Sequence, residues 1–88
     1  MIATLTPVGD RKASRRPGIR AAVNDLNRRI HRIARDLNLG PVVDLFSAFD
    51  GKPSLLGDDG LHPTAEGYRV MAQQFMDAIV SRFEETEG

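Results

Sequence analysis

Apolar residues in this chain occur either in short continuous runs or in longer stretches with helical spacing. Residues 2–6 form a β-prone run that is stopped by Pro7 and Gly9, which predicts a buried strand followed by a loop. Residues 42–45 have the same character and predict a second short strand. Residues 10–16 are polar and basic, and we expect them to form a mobile connection.

Between the two predicted strands, apolar residues recur every three or four positions, the spacing of one helix face. They are Ile19, Ala22, Val23, Leu26, Ile30, Ile33, Ala34 and Leu37. Pro17 suits the first position of this helix, and Asn38 and Gly40 suit its end. A second helix is predicted after Thr64, which suits an N-cap, with Glu66 in the first turn. Its predicted buried stripe consists of Tyr68, Met71, Ala72, Phe75, Ile79 and Phe83.

The order of elements is strand, helix, strand, loop, helix, because residues 50–60 are rich in glycine and polar groups. Phe46 and Phe49 precede that loop in a turn or a brief helix. Two strands joined by a helix of this length are expected to be parallel, with a right-handed crossover. A two-stranded parallel sheet is marginal on its own. We therefore expect an α/β fold in which residues 1–88 form a single truncated domain, part of a larger sheet.

Composition excludes several classes of protein. The chain has 88 residues, 41% of them apolar, a formal net charge of zero and no cysteine, so disulfides and thiolate metal sites are excluded. We expect neither a signal peptide nor a transmembrane segment, and localisation stays open. Nine of the twelve Lys and Arg residues lie in the first 35 positions, which could indicate nucleic-acid binding. No aromatic residue is interleaved with them, so we favour a solvated basic face, with His31 exposed on it.

The segment Asp59-Gly60-Leu61-His62-Pro63 carries the main chemical signal of the chain. A carboxylate on the second ring nitrogen of a histidine fixes its tautomer and stabilises the imidazolium formed when it accepts a proton. Asp59 and His62 are thus two of the three groups of a serine-hydrolase triad. Because Pro63 biases His62 toward an extended backbone, we expect the two side chains to be within hydrogen-bonding reach, immediately before the last helix.

The third group of a triad is not evident in the sequence. The candidate nucleophiles are Ser14, Ser47, Ser54 and Ser81, and none lies in a recognisable nucleophile turn. Ser47 and Ser54 are near the loop that leads to His62, but turn chemistry explains both better. Asp44 could cap the turn after the second strand or orient a loop, and we assign it no catalytic role. A metal site made of His62, Asp58 and Asp59 is disfavoured, because a catalytic zinc normally takes three well-spaced ligands. We expect no metal and no cofactor.

Taken together, these segments resemble the C-terminal part of an SGNH (GDSL-type) serine ester hydrolase. The resemblance rests on residues 2–7, the helix containing Leu26-Asn27, the strand at residues 42–45 and the segment from Asp59 to Tyr68. It implies a partial flavodoxin-like fold. It also makes His62 the general base toward a serine hydroxyl and Asp59 its orienting partner, in acyl transfer through a covalent ester on that serine.

Other parts of the family pattern have no counterpart here. The family uses a Gly-Asp-Ser turn, an oxyanion-hole glycine and an oxyanion-hole asparagine from earlier strands. Gly9-Asp10-Arg11 has arginine in place of that serine, and Asn24-Asp25 lies inside the predicted helix. The resemblance therefore implies that the chain alone is inactive on carboxylic esters or acetylated sugars, unless another chain supplies the nucleophile.

The partners expected from this pattern are a second copy of the chain or a complementary hydrolase fragment. Self-association is expected through the outer edge of the strand at residues 2–5, where unpaired backbone groups and apolar surface would meet another chain. Two alternatives to an esterase segment stay open: a non-catalytic self-associating module, and an arginine-rich nucleic-acid-binding domain. No membrane partner is expected.

Overall fold

A computed structural model describes the backbone of residues 1–87 and the side chains of residues 1–84. Within residues 1–87, seven elements follow one another. They are β1 (Ile2–Ala3), α1 (Asp10–Arg15), α2 (Ile19–Asp36), β2 (Val42–Val43), α3 (Leu45–Phe49), a 3-10 helix (Pro53–Leu55) and α4 (Ala65–Glu87). In the described part of the chain, no helix is both long enough and apolar enough to cross a membrane.

The two strands pair in parallel, as the sequence predicts. Ile2 lies opposite Val42 and Ala3 opposite Val43, and α2 connects the strands. The amide of Thr4 adds one further bond by donating to the Val43 carbonyl at 3.0 Å. The α/β class and the order of the predicted elements are therefore confirmed, with a short parallel sheet.

Both strands are shorter than predicted, and after each strand a side chain hydrogen bonds the backbone. The Leu5 amide donates to Asn27 Oδ1 at 2.7 Å, and Asn27 Nδ2 donates to the Leu5 carbonyl at 3.2 Å. A buried side chain of α2 thus occupies the place of a neighbouring strand at Leu5. After β2, Asp44 caps α3 by accepting the Ser47 amide at 3.1 Å, which confirms the predicted capping role.

The ends of α2 follow local backbone chemistry. Asn38 adopts a left-handed φ of 53°, its amide donates to the Arg35 carbonyl, and the Leu39 amide donates to the Ala34 carbonyl. This is the hydrogen-bond pattern of a Schellman motif, and it confirms the predicted end of the helix. The start lies at Ile19 and not at Pro17, because Gly18 takes a left-handed φ of 86° directly before it.

Residues 10–15 form helix α1, whereas a mobile connection was expected over residues 10–16. The Ala13 amide donates to the Gly9 carbonyl at 3.0 Å, and the Arg20 guanidinium binds both Asp10 and the Val8 carbonyl. None of its side chains is buried. Hydrophobic periodicity therefore could not reveal this helix, which is held by backbone and ionic contacts.

The core is small and lies around the two strands, α3 and the 3-10 helix. Its buried apolar residues are Val8, Val23, Ala34, Val43, Leu45, Phe49 and Leu55. Phe49 is the most deeply buried large side chain, at 1% exposure.

The predicted apolar stripe of α2 is covered along one side only. Val23 and Ala34 face the sheet and are buried, but Leu26, Ile33 and Leu37 are 48%, 46% and 66% exposed. A sheet of two short strands offers too little surface to cover a stripe of this width.

The predicted buried stripe of α4 is wrong for most of its members. Met71 and Phe75 are half-buried, whereas Tyr68, Ala72, Ile79 and Phe83 are exposed. Helix α4 packs on α3, the 3-10 helix and β2, and near its C-terminal end Arg82 Nη1 donates to the Leu39 carbonyl at 3.4 Å. Four large apolar side chains in the C-terminal half of α4 are still about half exposed or more: Met76, Ile79, Val80 and Phe83.

Candidate active site

The loop that carries Asp59 and His62 is closed by backbone hydrogen bonds. Leu56 and Pro63 form an isolated antiparallel bridge, and the Gly57 amide donates to the His62 carbonyl at 2.7 Å. The Gly60 amide donates to the Gly57 carbonyl at 2.9 Å. These bonds hold the ends of the loop together, so the six residues from Gly57 to His62 form a compact turn, not an open excursion.

The Asp59 carboxylate organises the interior of this loop. Its Oδ1 accepts the amides of Leu61 at 2.9 Å and His62 at 3.0 Å, and its Oδ2 is hydrogen bonded to His62 Nδ1. The predicted contact between the two side chains is therefore present. The bond from the His62 side chain, followed by those from the two amides, holds the pKa of Asp59 far below its usual range. Asp59 is thus ionised at neutral pH.

This arrangement sets the tautomer of His62. An ionised carboxylate only accepts hydrogen bonds, so Nδ1 carries the proton and Nε2 of the neutral ring is an acceptor. The His62 side chain is 73% exposed, which leaves Nε2 accessible from outside the loop. Chemically, the pair can accept a proton from a hydroxyl group and stabilise the cation that results.

The start of α4 is anchored to the 3-10 helix, and this anchoring fixes where the chain after His62 lies. Thr64 Oγ1 accepts the Gly67 amide at 3.1 Å, which confirms Thr64 as the N-cap, and donates to the Ser54 carbonyl at 2.9 Å. The Thr64 amide also donates to the Leu55 carbonyl at 3.0 Å. His62 therefore directly precedes a helix start that is anchored to the 3-10 helix.

The serines considered as nucleophiles do not meet His62. Ser47 Oγ donates to Asp44 Oδ2 at 2.8 Å, as expected for turn chemistry, and Ser14 Oγ donates to the Arg11 carbonyl at 3.0 Å. Among the side chains that the structure describes, no serine hydroxyl is hydrogen bonded to His62.

Asp44 and His31 lie outside this loop. Burial raises the pKa of Asp44, but the hydrogen bonds from Ser47 and Thr4 and the nearby His31 outweigh it, so the net shift is downward. His31 is exposed, as predicted. Within the described residues, no group of three His, Cys, Asp or Glu side chains lies close enough to hold a metal ion.

Two buried polar side chains that hold the end of β1 were not assigned a structural role from the sequence. Thr4 is 3% exposed, accepts the Phe46 amide at 3.0 Å and donates to Asp44 Oδ1 at 3.3 Å. Asn27 is 8% exposed and binds Leu5 as described above. The available signal for Asn27 was its place within the apolar stripe of α2, where a polar residue needs a partner.

Comparison with known proteins identifies the family of the chain. The model of the GDSL-like lipase/acylhydrolase family matches residues 1–70, which are 70 of the 88 residues and include the whole Asp59 and His62 loop. No curated protein and no solved structure matches the chain.

Proposed function

Because the chain belongs to the GDSL-like lipase/acylhydrolase family, we propose that it supplies the general base and the orienting carboxylate of a serine ester hydrolase. In this proposal, His62 is the base and Asp59 orients it. The observation that carries the proposal is the hydrogen bond from His62 Nδ1 to an ionised Asp59, with the rest of the ring exposed. The serine and the oxyanion-hole groups come from a segment outside these 88 residues.

The reaction follows from the geometry of the pair. Nε2 takes the proton of the serine hydroxyl as the serine oxygen attacks the ester carbonyl, and Asp59 stabilises the imidazolium. The imidazolium then protonates the leaving alcohol, and the serine remains as an acyl ester. A water molecule, deprotonated by His62, cleaves that ester and releases the carboxylic acid. The substrate class is a carboxylic ester or an acetylated sugar.

The 88-residue chain by itself is expected to be inactive. A base without a nucleophile in reach gives no acyl-enzyme, and loss of one oxyanion-hole donor alone costs about 3–4 kcal/mol of transition-state stabilisation. The purified chain should therefore hydrolyse p-nitrophenyl acetate no faster than its His62→Ala variant, and should not react with a fluorophosphonate probe.

A completed protein tests the proposal directly. The Gly-Asp-Ser and oxyanion-hole segments of a GDSL-family hydrolase would be joined before Met1 and assayed for ester hydrolysis. His62→Ala should lower kcat by about a thousandfold or more, and Asp59→Asn by about a hundredfold or more. Asp58→Asn is the matched control, because Asp58 is the exposed neighbouring carboxylate and does not contact His62.

Two results would contradict this proposal. One is a completed, folded protein whose hydrolysis is unchanged by His62→Ala. The other is fluorophosphonate labelling of Ser47 or Ser54 in the 88-residue chain, because the nucleophile would then lie inside it.

A self-associating module is the second candidate, and the exposed apolar side chains of α2 and α4 favour it. Nucleic-acid binding has less support, because several arginines of the basic half already pair with carboxylates. These pairs are Arg20 with Asp10 at 2.7 Å, Arg29 with Asp25 at 3.0 Å and Arg35 with Asp36 at 3.6 Å. Binding to DNA that weakens steeply between two salt concentrations would favour that third function.

A further inference from the structure

The loop of Asp59 and His62 touches the start of α1 through two glycines, Gly60 of the loop and Gly9, the N-cap of α1. The Gly9 amide donates to the Gly60 carbonyl at 2.8 Å. A Cβ at Gly9 would lie 2.9 Å from Gly60 Cα, and a Cβ at Gly60 would lie 3.2 Å from the Gly9 carbonyl carbon. The two backbones therefore cross so closely that a Cβ at Gly9 would force a shift, and a Cβ at Gly60 would be in unusually tight contact.

We propose that this crossing is a positioning device, in which Gly9 fixes one of the two peptide groups whose amides hold the Asp59 carboxylate toward His62. Its catalytic consequence rests on the proposed function, but its geometry does not. The roles assigned here are positioning roles, since neither glycine touches a reacting atom.

The peptide group between Gly60 and Leu61 connects the crossing to the Asp59 carboxylate. A trans peptide is planar, and its C=O and N–H point in opposite directions. The Gly60 carbonyl is held on one side by the Gly9 amide, so the Leu61 amide is directed to the other side, where it donates to Asp59 Oδ1 at 2.9 Å. With Oδ1 held there, Oδ2 is directed to His62 Nδ1.

The backbone conformation of Gly60 adds to this constraint. Its φ of 68° is left-handed, the region in which a side chain is strained. Gly51 has nearly the same φ, 73°, but a Cβ there would meet nothing within 4 Å. Gly51→Ala therefore measures the strain of a left-handed backbone alone, whereas Gly60→Ala measures that strain together with the close contact at the crossing.

At Gly9, the effect of the crossing can be measured without any strain from a left-handed backbone. Its φ is −69°, which any residue adopts, so Gly9→Ala adds only the contact with Gly60. If the crossing positions the carboxylate, Gly9→Ala and Gly60→Ala will perturb Asp59 alike. Gly51→Ala will lower the free energy of unfolding through backbone strain, as Gly60→Ala does in part. It will not change the titration of Asp59.

The experiment follows the carboxyl carbon of Asp59 by NMR as a function of pH in the 88-residue chain. We expect the titration midpoint of Asp59 to rise by about one unit toward its ordinary value in Gly9→Ala and Gly60→Ala, and not in Gly51→Ala. An unchanged midpoint in a folded Gly9→Ala variant would overturn the proposal, and so would an equal rise in all three variants.

A measurement on the unsubstituted chain covers the case in which a variant does not fold. The through-hydrogen-bond scalar coupling between the Gly9 nitrogen and the Gly60 carbonyl carbon should be detectable, and its absence would also refute the crossing. In the completed enzyme, Gly9→Ala should lower kcat about tenfold or more at unchanged KM. A completed protein without activity, together with the expected NMR result, would refute the proposed function and leave the crossing standing.

Discussion

Gly67 is the position where the smallest substitution should do the most damage to this fold. It is buried in the first turn of α4, and a Cβ built there would lie 2.2 Å from the Leu55 carbonyl oxygen and 3.0 Å from Pro63 Cβ. In an exposed helix, Gly→Ala would gain about 0.5–1 kcal/mol, because alanine loses less conformational entropy. Here the added methyl group points into a backbone carbonyl, which cannot turn aside as a flexible side chain could.

The cost of Gly67→Ala exceeds that gain. Relieving the clash requires α4 to move away from the 3-10 helix, and overpacking of this kind costs about 1–3 kcal/mol. The same movement stretches the bond from the Thr64 amide to the Leu55 carbonyl, which contributes about 1 kcal/mol. Subtracting the helix-propensity gain leaves a net loss of about 1–3 kcal/mol. For a domain of this size, that corresponds to a fall in Tm of roughly 4–24 °C.

Thermal unfolding followed by circular dichroism measures this effect. Ser81→Ala is the control, because it also places alanine in α4 but at an exposed position. It should change Tm by no more than about 2 °C. A Gly67→Ala chain that melts at or above the temperature of the unsubstituted protein would refute the contact between α4 and the 3-10 helix.

Three further predictions concern the sheet edge, the acid response and the oligomeric state. Asn27→Leu leaves the backbone amide and carbonyl of Leu5 without partners, and should lower the free energy of unfolding in urea by about 1–3 kcal/mol. The control Asn24→Leu, at an exposed position, should have little effect. Equal losses in the two variants would contradict this. Folding lowers the pKa of Asp59 below 3.8, so the ionised carboxylate stabilises the fold fully above that pH and this stabilisation is lost as the pH falls. Asp59→Asn should therefore flatten the acid end of the curve of Tm against pH. An unchanged curve would count against the Asp59 contacts. Light scattering at micromolar concentration should give at least a dimer mass, and a monomer mass with a sharp melt would exclude self-association.

The fold was predictable where hydrophobic spacing and capping chemistry agree. The spacing of Val23 and Ala34, the left-handed Asn38 and the N-cap Thr64 all lie where the sequence places them. The contact between Asp59 and His62 was predictable because three residues of separation and a following proline leave few alternatives.

Other features depend on contacts that spacing does not report. Helix α1 buries no side chain, so its sequence carries no periodicity. The exposure of Ile79 and Phe83 depends on which elements pack against α4, and the spacing of apolar residues within the helix does not report that. The crossing of Gly9 and Gly60 joins residues about fifty positions apart, and a glycine in a loop does not indicate what it approaches.

The structure also changes where self-association is expected on the surface. Backbone groups of successive strand residues point to opposite sides, so those of Thr4 face β2 and those of Leu5 face the outer edge of β1. Asn27 already binds both polar groups of Leu5, which leaves Ala3 as the open position of that edge. One residue is too short a template for a strand pair. We therefore expect association to depend on the exposed apolar side chains of α2, such as Ile33, more than on residues 2–5.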